Sequence, residues 1–352
     1  MRRRDALLLA PLVAAGCTSI GPQRLDRDQL DYTRVVSDSS KRQTLFNLIR
    51  LRFGDSPAFV SIGQLVSGYT LQSTAQANLQ SNPSGAVNSF WAMLGNIQFT
   101  DRPTFTLNPM NGEQFVQAYL RPFSPADIVP LIQGGIPVDK LFRLVVQTVG
   151  DLQNTHPLAG SRRSGSPDFL ATLAALRTLQ ENGVLRIRLR REREGARAFI
   201  AFDVRHAPAL RGLVDQVYRR LRVDPSAQEV EIIYGTAGEQ TRKREIPILT
   251  RSLLSVLAAV AAEIAVPQTD ILEGRALPTL HEPFAPRPII VVLSGTEQPR
   301  ESYAQVRMDG RWYWVAVDDY ESKVTFTILE ILKSVAESTR GVAQPVLTIP
   351  TG

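Results

Sequence analysis

Two stretches of the chain alternate with a period of two for longer than an ordinary strand. From Tyr69 to Gln80 one side reads Tyr69, Leu71, Ser73, Ala75, Ala77 and Leu79, and the other reads Thr70, Gln72, Thr74, Gln76, Asn78 and Gln80. On the return, Ile97, Phe99, Phe105 and Leu107 share one side, interrupted by Asp101 and Pro103. Asn96, Gln98, Thr100, Arg102, Thr104 and Thr106 share the other. Successive residues of a strand face opposite ways, so this period demands extended backbone and is incompatible with a helix. With the turn-rich "SNPSGAVNSFWAMLG" between them, the spacing predicts a long β-hairpin within residues 58–107. Apolar residues alternating with uncharged polar ones over about ten positions are also the pattern of a membrane β-strand. Two strands cannot close a barrel, but a ring of subunits giving one hairpin each leaves no free edge. Tyr69, Leu71, Ile97 and Phe99 are therefore candidate membrane or partner contacts. The competing reading lays the hairpin on the rest of the chain with its polar side in water.

The chain holds one cysteine, in "LLLAPLVAAGCTSIGP". Arg2, Arg3 and Arg4 precede an apolar run from Ala6 to Ala15, and small residues follow at Ala14, Ala15 and Gly16. This is the layout of a secretory signal peptide. "VAAGC" resembles a bacterial lipobox, with Ala14 where Leu is usual. That resemblance implies cleavage before Cys17, a diacylglyceryl group on its sulfur and an acyl group on the new amino terminus. Each buried methylene contributes about 0.8 kcal/mol, so one chain anchors marginally and two or more hold firmly. Thr18, rather than Asp, follows the cysteine, which resembles the outer-membrane sorting habit of enterobacterial lipoproteins. The rest of the chain has no thiol and can form no disulfide, which fits an oxidising compartment. The expected location is the cell envelope, lipid-anchored at the outer membrane and facing the periplasm. An ordinary secretory signal with a chance cysteine, or a cytoplasmic amphipathic start, are the alternatives.

The formal net charge is +6, of which the leader Met1–Gly16 carries +2. A surplus of +4 spread over the remainder is too small to point to nucleic acid, which needs basic residues clustered on one face. No run reaches the roughly 18–20 apolar residues of a membrane-spanning helix. The most apolar helical segment, Leu253 to Val266, is too short and carries Glu263, so it reads as a core helix.

The punctuation of the chain predicts an α+β fold: a helical block with a long β-hairpin insertion, followed by mixed hairpins and helices. A helix capped by Ser37 or Asp38 runs to Arg52 and stops at Gly54. "NGEQFVQAYL", "SPADIVPLIQGG", "IPVDKLFRLVVQTVGDLQ" and "SPDFLATLAALRTLQENG" read as helices, two of them opened by Ser-Pro. "VLRIRLRREREGARAFIAFD" reads as a hairpin about Gly195, and "SYAQVRMDGRWYWVAVDD" as one turning at Asp309-Gly310. A helix near Pro208–Leu221, strands at "EVEIIYG", "REIPIL" and "RPIIVVLSG", an apolar helix capped by Thr250, a last helix in "YESKVTFTILEILKSVAEST" and a final strand "PVLTIP" complete the reading. The expected division is a signal peptide over 1–16, a tether over 17–32, the helical block with its hairpin over 33–160, and an α+β domain over 161–352.

Sequence motifs supply no catalytic residues. His156, His206 and His281 stand alone, without metal-ligand spacing and without cysteine. No nucleophile elbow, phosphate-cradling loop or H-E-x-x-H occurs, so no cofactor and no metal are assigned. Asp318 and Asp319 read as satisfying a helix start, and Trp312 and Trp314 as core packing on one side of their strand. In "RIRLRRER", Leu185, Ile187 and Leu189 alternate with Arg186, Arg188 and Arg190. That basic side could meet an anionic lipid or glycan surface, or be the solvated side of an amphipathic strand.

Three stretches, "DSSKRQTLFNLIRLRFGDSPAFVSIGQLVSGYTL", "DRPTFTLNPMNGEQF" and "RWYWVAVDDYESKVTFTILEIL", resemble an uncharacterised family of proteobacterial predicted outer-membrane lipoproteins. The resemblance spans most of the chain after Cys17. It implies an envelope role and carries over no residue other than Cys17. The expected function is a lipid-anchored binding or scaffolding component that contacts the membrane through its lipid, with other envelope proteins or copies of itself as candidate partners. The rivals are a subunit of an oligomeric pore or transport assembly built on the hairpin, and a hydrolase of an envelope polymer.

Overall fold

The computed structural model describes residues 22–78, 92–157, 163–193, 195–236, 238 and 243–338, with the backbone alone over 22–29, 61–78 and 92–108. The fold is α+β. The chain divides into two units, residues 58–111 and the remainder.

The first unit is the hairpin. Strand β1 (Val60–Asn78) pairs antiparallel with β2 (Ala92–Pro109), from Val60 opposite Pro109 to Asn78 opposite Ala92, with one irregularity between Ile62 and Gln64. The register sets Leu71 against Phe99, Ser73 against Ile97, Tyr69 against Asp101 and Leu65 against Phe105. Directly opposed positions share a face of the ribbon. The apolar columns of the two strands therefore coincide, and a slip of one residue would have put them on opposite faces. Leu79, Gln80 and much of the aromatic turn segment lie outside the described residues.

The second unit holds the helices α1 (Pro22–Arg52), α2 (Gly112–Phe115), α3 (Pro125–Gln133), α4 (Val138–Val145), α5 (Pro167–Glu181), α6 (Arg211–Arg220), α7 (Leu253–Glu263), α8 (Gln268–Leu272) and α9 (Tyr320–Ser338). A π-helical turn, Val116–Leu120, continues α2. Strands β3 (Val146–Val149), β4 (Leu152–Gln153), β5 (Leu185–Glu192), β6 (Gly195–Phe202), β7 (Val230–Tyr234) and β8 (Glu245–Thr250) form one sheet in the order β4-β3-β8-β7-β6-β5. Its pairings are antiparallel except β7 with β8. Strands β9 (Leu293–Gly295), β10 (Ala304–Met308) and β11 (Arg311–Val315) form a second sheet in the order β10-β11-β9. Strand β4 pairs with β3 and β3 with β8, so residues on both sides of position 160 share the six-stranded sheet.

The Ser-Pro openings fold as their chemistry requires. Ser124 accepts from the Asp127 N–H at 3.2 Å, and Asp127 returns a bond to the Ser124 N–H at 2.9 Å, a complete capping box with Pro125 at the first position. Ser166 caps α5 in the same way through the Phe169 N–H. The Asp309-Gly310 turn joins β10 to β11 with both residues at positive φ, 48° and 81°, the backbone that a two-residue type I′ turn needs.

Four expectations are corrected. Helix α1 starts at Pro22 rather than at Ser37 or Asp38, so the segment read as a tether is helical from that residue on. Its side chains become buried from Thr44, and Leu30 and Val35 are exposed. The cap of α7 is Ser252, bonded to the Ser255 N–H, because the Thr250 hydroxyl is taken by the Phe123 carbonyl. "RPIIVVLSG" enters a ladder only at Leu293–Gly295, since the Ile289 N–H goes to Glu263 and the Val291 N–H to Ser322. The helix expected over residues 136–153 ends at Val145 and passes straight into β3 and β4. The final strand "PVLTIP" lies outside the described residues.

Helix α1 is fixed to the core by its last turns. Leu45, Leu48 and Ile49 are fully buried. The buried Arg52 donates from Nε to the Ile264 carbonyl and from Nη2 to the Leu277 carbonyl, both at 2.8 Å. Ser40 and Thr44 donate to the Glu330 carboxylate of α9 at 2.5 and 2.6 Å. Replacing Ser124 by Ala should cost about 1 kcal/mol, read as a lower urea midpoint at unchanged slope.

Candidate functional site

A cleft of about 530 Å³ opens in the second unit. Its charged and polar lining is Asp139, Lys140 and Arg143 of α4, Arg287, and Glu321 with Thr325 of α9. Its apolar lining is Pro167, Leu170, Ala171 and Ala174 of α5, with Phe284, Ala285, Pro286, Pro288 and Ile289. Asp139, Lys140 and Arg143 reach it together because positions three or four apart share a helix face.

A buried ionic network holds these walls. Helix α4 leaves its last carbonyls without intrahelical partners, as every helix does. Arg251, in the turn before α7, donates from Nη1 to the Arg143 and Leu144 carbonyls, each at 3.0 Å, and its backbone N–H donates to the Val145 carbonyl at 2.7 Å. Its Nη2 reaches the Thr155 carbonyl. Asn154 adds bonds to the Arg143 carbonyl at 2.9 Å and the Val146 carbonyl at 2.6 Å. Burial lowers the Arg251 pKa to about 10, with Glu263 opposing that fall. The side chain therefore stays cationic at neutral pH, at the negative end of a helix.

Glu263 ends α7 and is nearly inaccessible. It accepts from Arg143 Nη2 at 3.0 Å and from the Ile289 N–H at 2.8 Å. Burial pushes its pKa up, while the Arg143 cation pulls it back. The bond to Ile289 ties the 284–289 wall to the core. Glu282 does the same at the wall's start, accepting from the Thr155 hydroxyl at 2.6 Å and the Gly165 N–H at 2.7 Å. A Cβ at Gly165 would lie 3.2 Å from the Thr155 nitrogen and 3.3 Å from that carboxylate, so the close approach needs glycine.

At the other end of the wall, Arg287 Nη2 donates to Asp319 at 2.5 Å and to Ser322 Oγ at 2.9 Å. Asp319 also accepts from the Ser322 N–H and hydroxyl at 3.1 and 2.6 Å. It satisfies the start of α9, as its position in the sequence suggested. Burial acts to raise its pKa, but Arg287 and Ser322 outweigh burial and hold it at about 2. Lys140 pairs with Glu321 and lowers that carboxyl.

The residues singled out in the sequence are dispersed. Cys17 lies outside the described residues. Tyr69, Leu71, Ile97 and Phe99 fall within the ribbon, at central positions of its register. Arg186, Arg188 and Arg190 are exposed on β5, an edge of the six-stranded sheet, while Ile187 between them is buried. Arg190 is partly neutralised by Glu229 at 2.6 Å and lies over the Phe199 ring at 4.5 Å. His206 and His281 are exposed and His156 is half-buried. No group of His, Cys, Asp and Glu able to hold a metal occurs among the described residues. Trp312 and Trp314 are half-buried, and the Trp314 ring packs over Gly295, 3.3 Å from where a Cβ would stand. Sequence reasoning missed the cleft, because its residues come from four distant segments. The one signal was Glu263, a carboxylate in an otherwise apolar helix.

Comparison of the chain with protein-family models, with curated proteins and with solved structures gives no match.

Removing the Arg251 guanidinium (Arg251→Met) should destabilise the protein by several kcal/mol, because the Leu144 and Thr155 carbonyls lose its bonds and each buried carbonyl left unpaired costs about 1–3 kcal/mol. Arg251→Lys should restore little of this, because an ammonium lacks the planar fork that reaches several carbonyls. Chemical denaturation measures both. Asp319 has a depressed pKa, so its contribution is complete above its ordinary value of 3.8 and is lost as pH falls toward about 2. The thermal midpoint should drop across that window in the parent, and more shallowly in Asp319→Asn.

Proposed function

We propose that this chain is a lipid-anchored cell-envelope protein, a binding and scaffolding component that assembles with copies of itself through the β1–β2 ribbon. The observation that carries this reading is the ribbon's lack of charge. Between Val60 and Pro109 only Asp101 and Arg102 are charged, and among the described residues β1 and β2 pair only with each other. An isolated two-stranded hairpin is marginal in water. Long strand edges are ordinarily blunted by charges, proline or bulges. Here Pro103 and the irregularity at Ile62/Gln64 are the interruptions. Copies joined edge to edge would satisfy the outer N–H and C=O groups of each ribbon.

The lipid anchor rests on "VAAGC" and its basic, apolar leader. No helix among the described residues is long and apolar enough to cross a membrane, so membrane attachment in this reading falls to Cys17. The coincidence of apolar columns favours one further version, in which ribbons close into a ring with one face toward lipid. Strands of this length reach about 60 Å at 3.3 Å per residue, roughly twice the 9–11 residues a membrane strand needs.

Two measurements test the reading. Light scattering of the full chain extracted in mild detergent should give a multiple of the protomer mass. Replacing residues 61–108 by a short Gly-Ser link should give the protomer mass with helical circular dichroism retained. A monomeric full chain, or an oligomer that survives the replacement, overturns the assembly role. Cys17→Ser should move the protein from the membrane to the soluble fraction. Retention after a salt wash would transfer the anchor to the ribbon.

A further inference from the structure

We infer that the cleft between α4, α5, α9 and the 284–289 segment binds a single-chain amphiphile with an anionic oxygen head, its acyl chain against α5 and the proline wall and its carboxylate or phosphate at Lys140 and Arg287. This site is separate from the ribbon and does not depend on the assembly reading.

The donor balance argues for the head. A guanidinium carries five N–H donors and an ammonium three. Among the described residues, Arg287 uses one nitrogen, Nη2, on Asp319 and Ser322, which leaves Nε and Nη1. Lys140 makes one bond, to Glu321. Both carboxylates lining the cleft already face cations: Glu321 is held by Lys140, and Asp139 lies 4.0 Å from Arg177. Donors of Lys140 and Arg287 therefore remain for a ligand in the cleft that both line, where an anionic oxygen would make short, charge-assisted bonds.

The apolar lining argues for the chain. Leu170, Ala171 and Ala174 of α5 line the cleft together with Phe284, Pro286 and Pro288. Phe284 is 55% exposed and Ala174 is also exposed, so apolar surface stands open to solvent. The volume, about 530 Å³, falls in the range of about 300–1,000 Å³ for small-molecule sites lined by apolar groups with a few convergent polar ones. The wall is tied to the core at both ends, Ile289 by its bond to Glu263 and the segment's start by the bond from Thr155 to Glu282.

The test is photo-crosslinking on the full chain in phosphatidylcholine nanodiscs, with three diazirine probes of one chain length: palmitic acid, palmitoyl lysophosphatidic acid and hexadecanol. Labelled peptides are read by mass spectrometry. Label should concentrate in residues 167–174 and 284–289, with at least one anionic probe about tenfold above the alcohol, the worth of one charge-assisted bond. The stronger of the two anionic probes identifies the head. Lys140→Gln should bring the anionic probes toward the alcohol. Ala174→Trp should abolish labelling by all three, and Ala171→Phe gives a second block should the first melt early by circular dichroism. Equal labelling by acid, phosphate and alcohol overturns the anionic head. Label confined to residues 58–109, or unchanged in both blocking variants, overturns the site.

Discussion

The guanidinium of Arg251 is the contact on which the architecture of the second unit turns. Helix α4 and strand β3 are consecutive in sequence, with no glycine or proline between Val145 and Val146. Such a junction strands the helix's last carbonyls inside the protein, and a buried polar group without a partner costs several times what a satisfied one contributes. Arg251 and Asn154 meet that demand from outside the helix. A buried cation needs its own compensation, and here it comes from carbonyl dipoles, with the Glu263 charge near enough to raise the Arg251 pKa against the effect of burial. Through Glu263 the same network positions Ile289, and with it one wall of the cleft.

What was legible in the sequence was legible because it is local. Ser124-Pro125 and Ser166-Pro167 open helices within three residues of themselves, and Asp309-Gly310 turns a hairpin by its own backbone preferences. The alternation of Leu185, Ile187 and Leu189 with arginines survives as buried or half-buried against exposed. The long ribbon follows from a period that no helix can use. Where reading failed, a distant partner decided the outcome. "LFRLVVQTVGDLQ" has nothing in it that stops a helix after Val145; the stop is Arg251. "RPIIVVL" has every strand propensity, yet two of its N–H groups are spent on Glu263 and Ser322. Thr250 looks like a cap and is used elsewhere. The cleft was illegible for the same reason, being assembled from residues 139–174 and 284–325, two stretches more than a hundred residues apart.

The two units differ in how they treat charge. The second keeps Arg52, Arg251, Glu263 and Glu282 inside and surrounds each with named partners. The first has almost no charge at all: its polar groups are uncharged Thr, Gln, Asn and Ser side chains and the backbone edges of its two strands. Charge paired inside a core fixes one arrangement of neighbours, whereas an uncharged ribbon edge accepts any strand of suitable register. The one is suited to holding a shaped site; the other, in the assembly we propose, to joining copies.

The abrupt passage from α4 to β3 has a consequence for how the chain matures. Apart from Asn154, the groups that end the helix, and the strand β8 that pairs with β3, lie about a hundred residues downstream. Those contacts form only once a loop of that length has closed, a cost that local structure escapes. The boundary between helix and central strand is therefore set by the long-range part of the fold and not by the segment in which it lies.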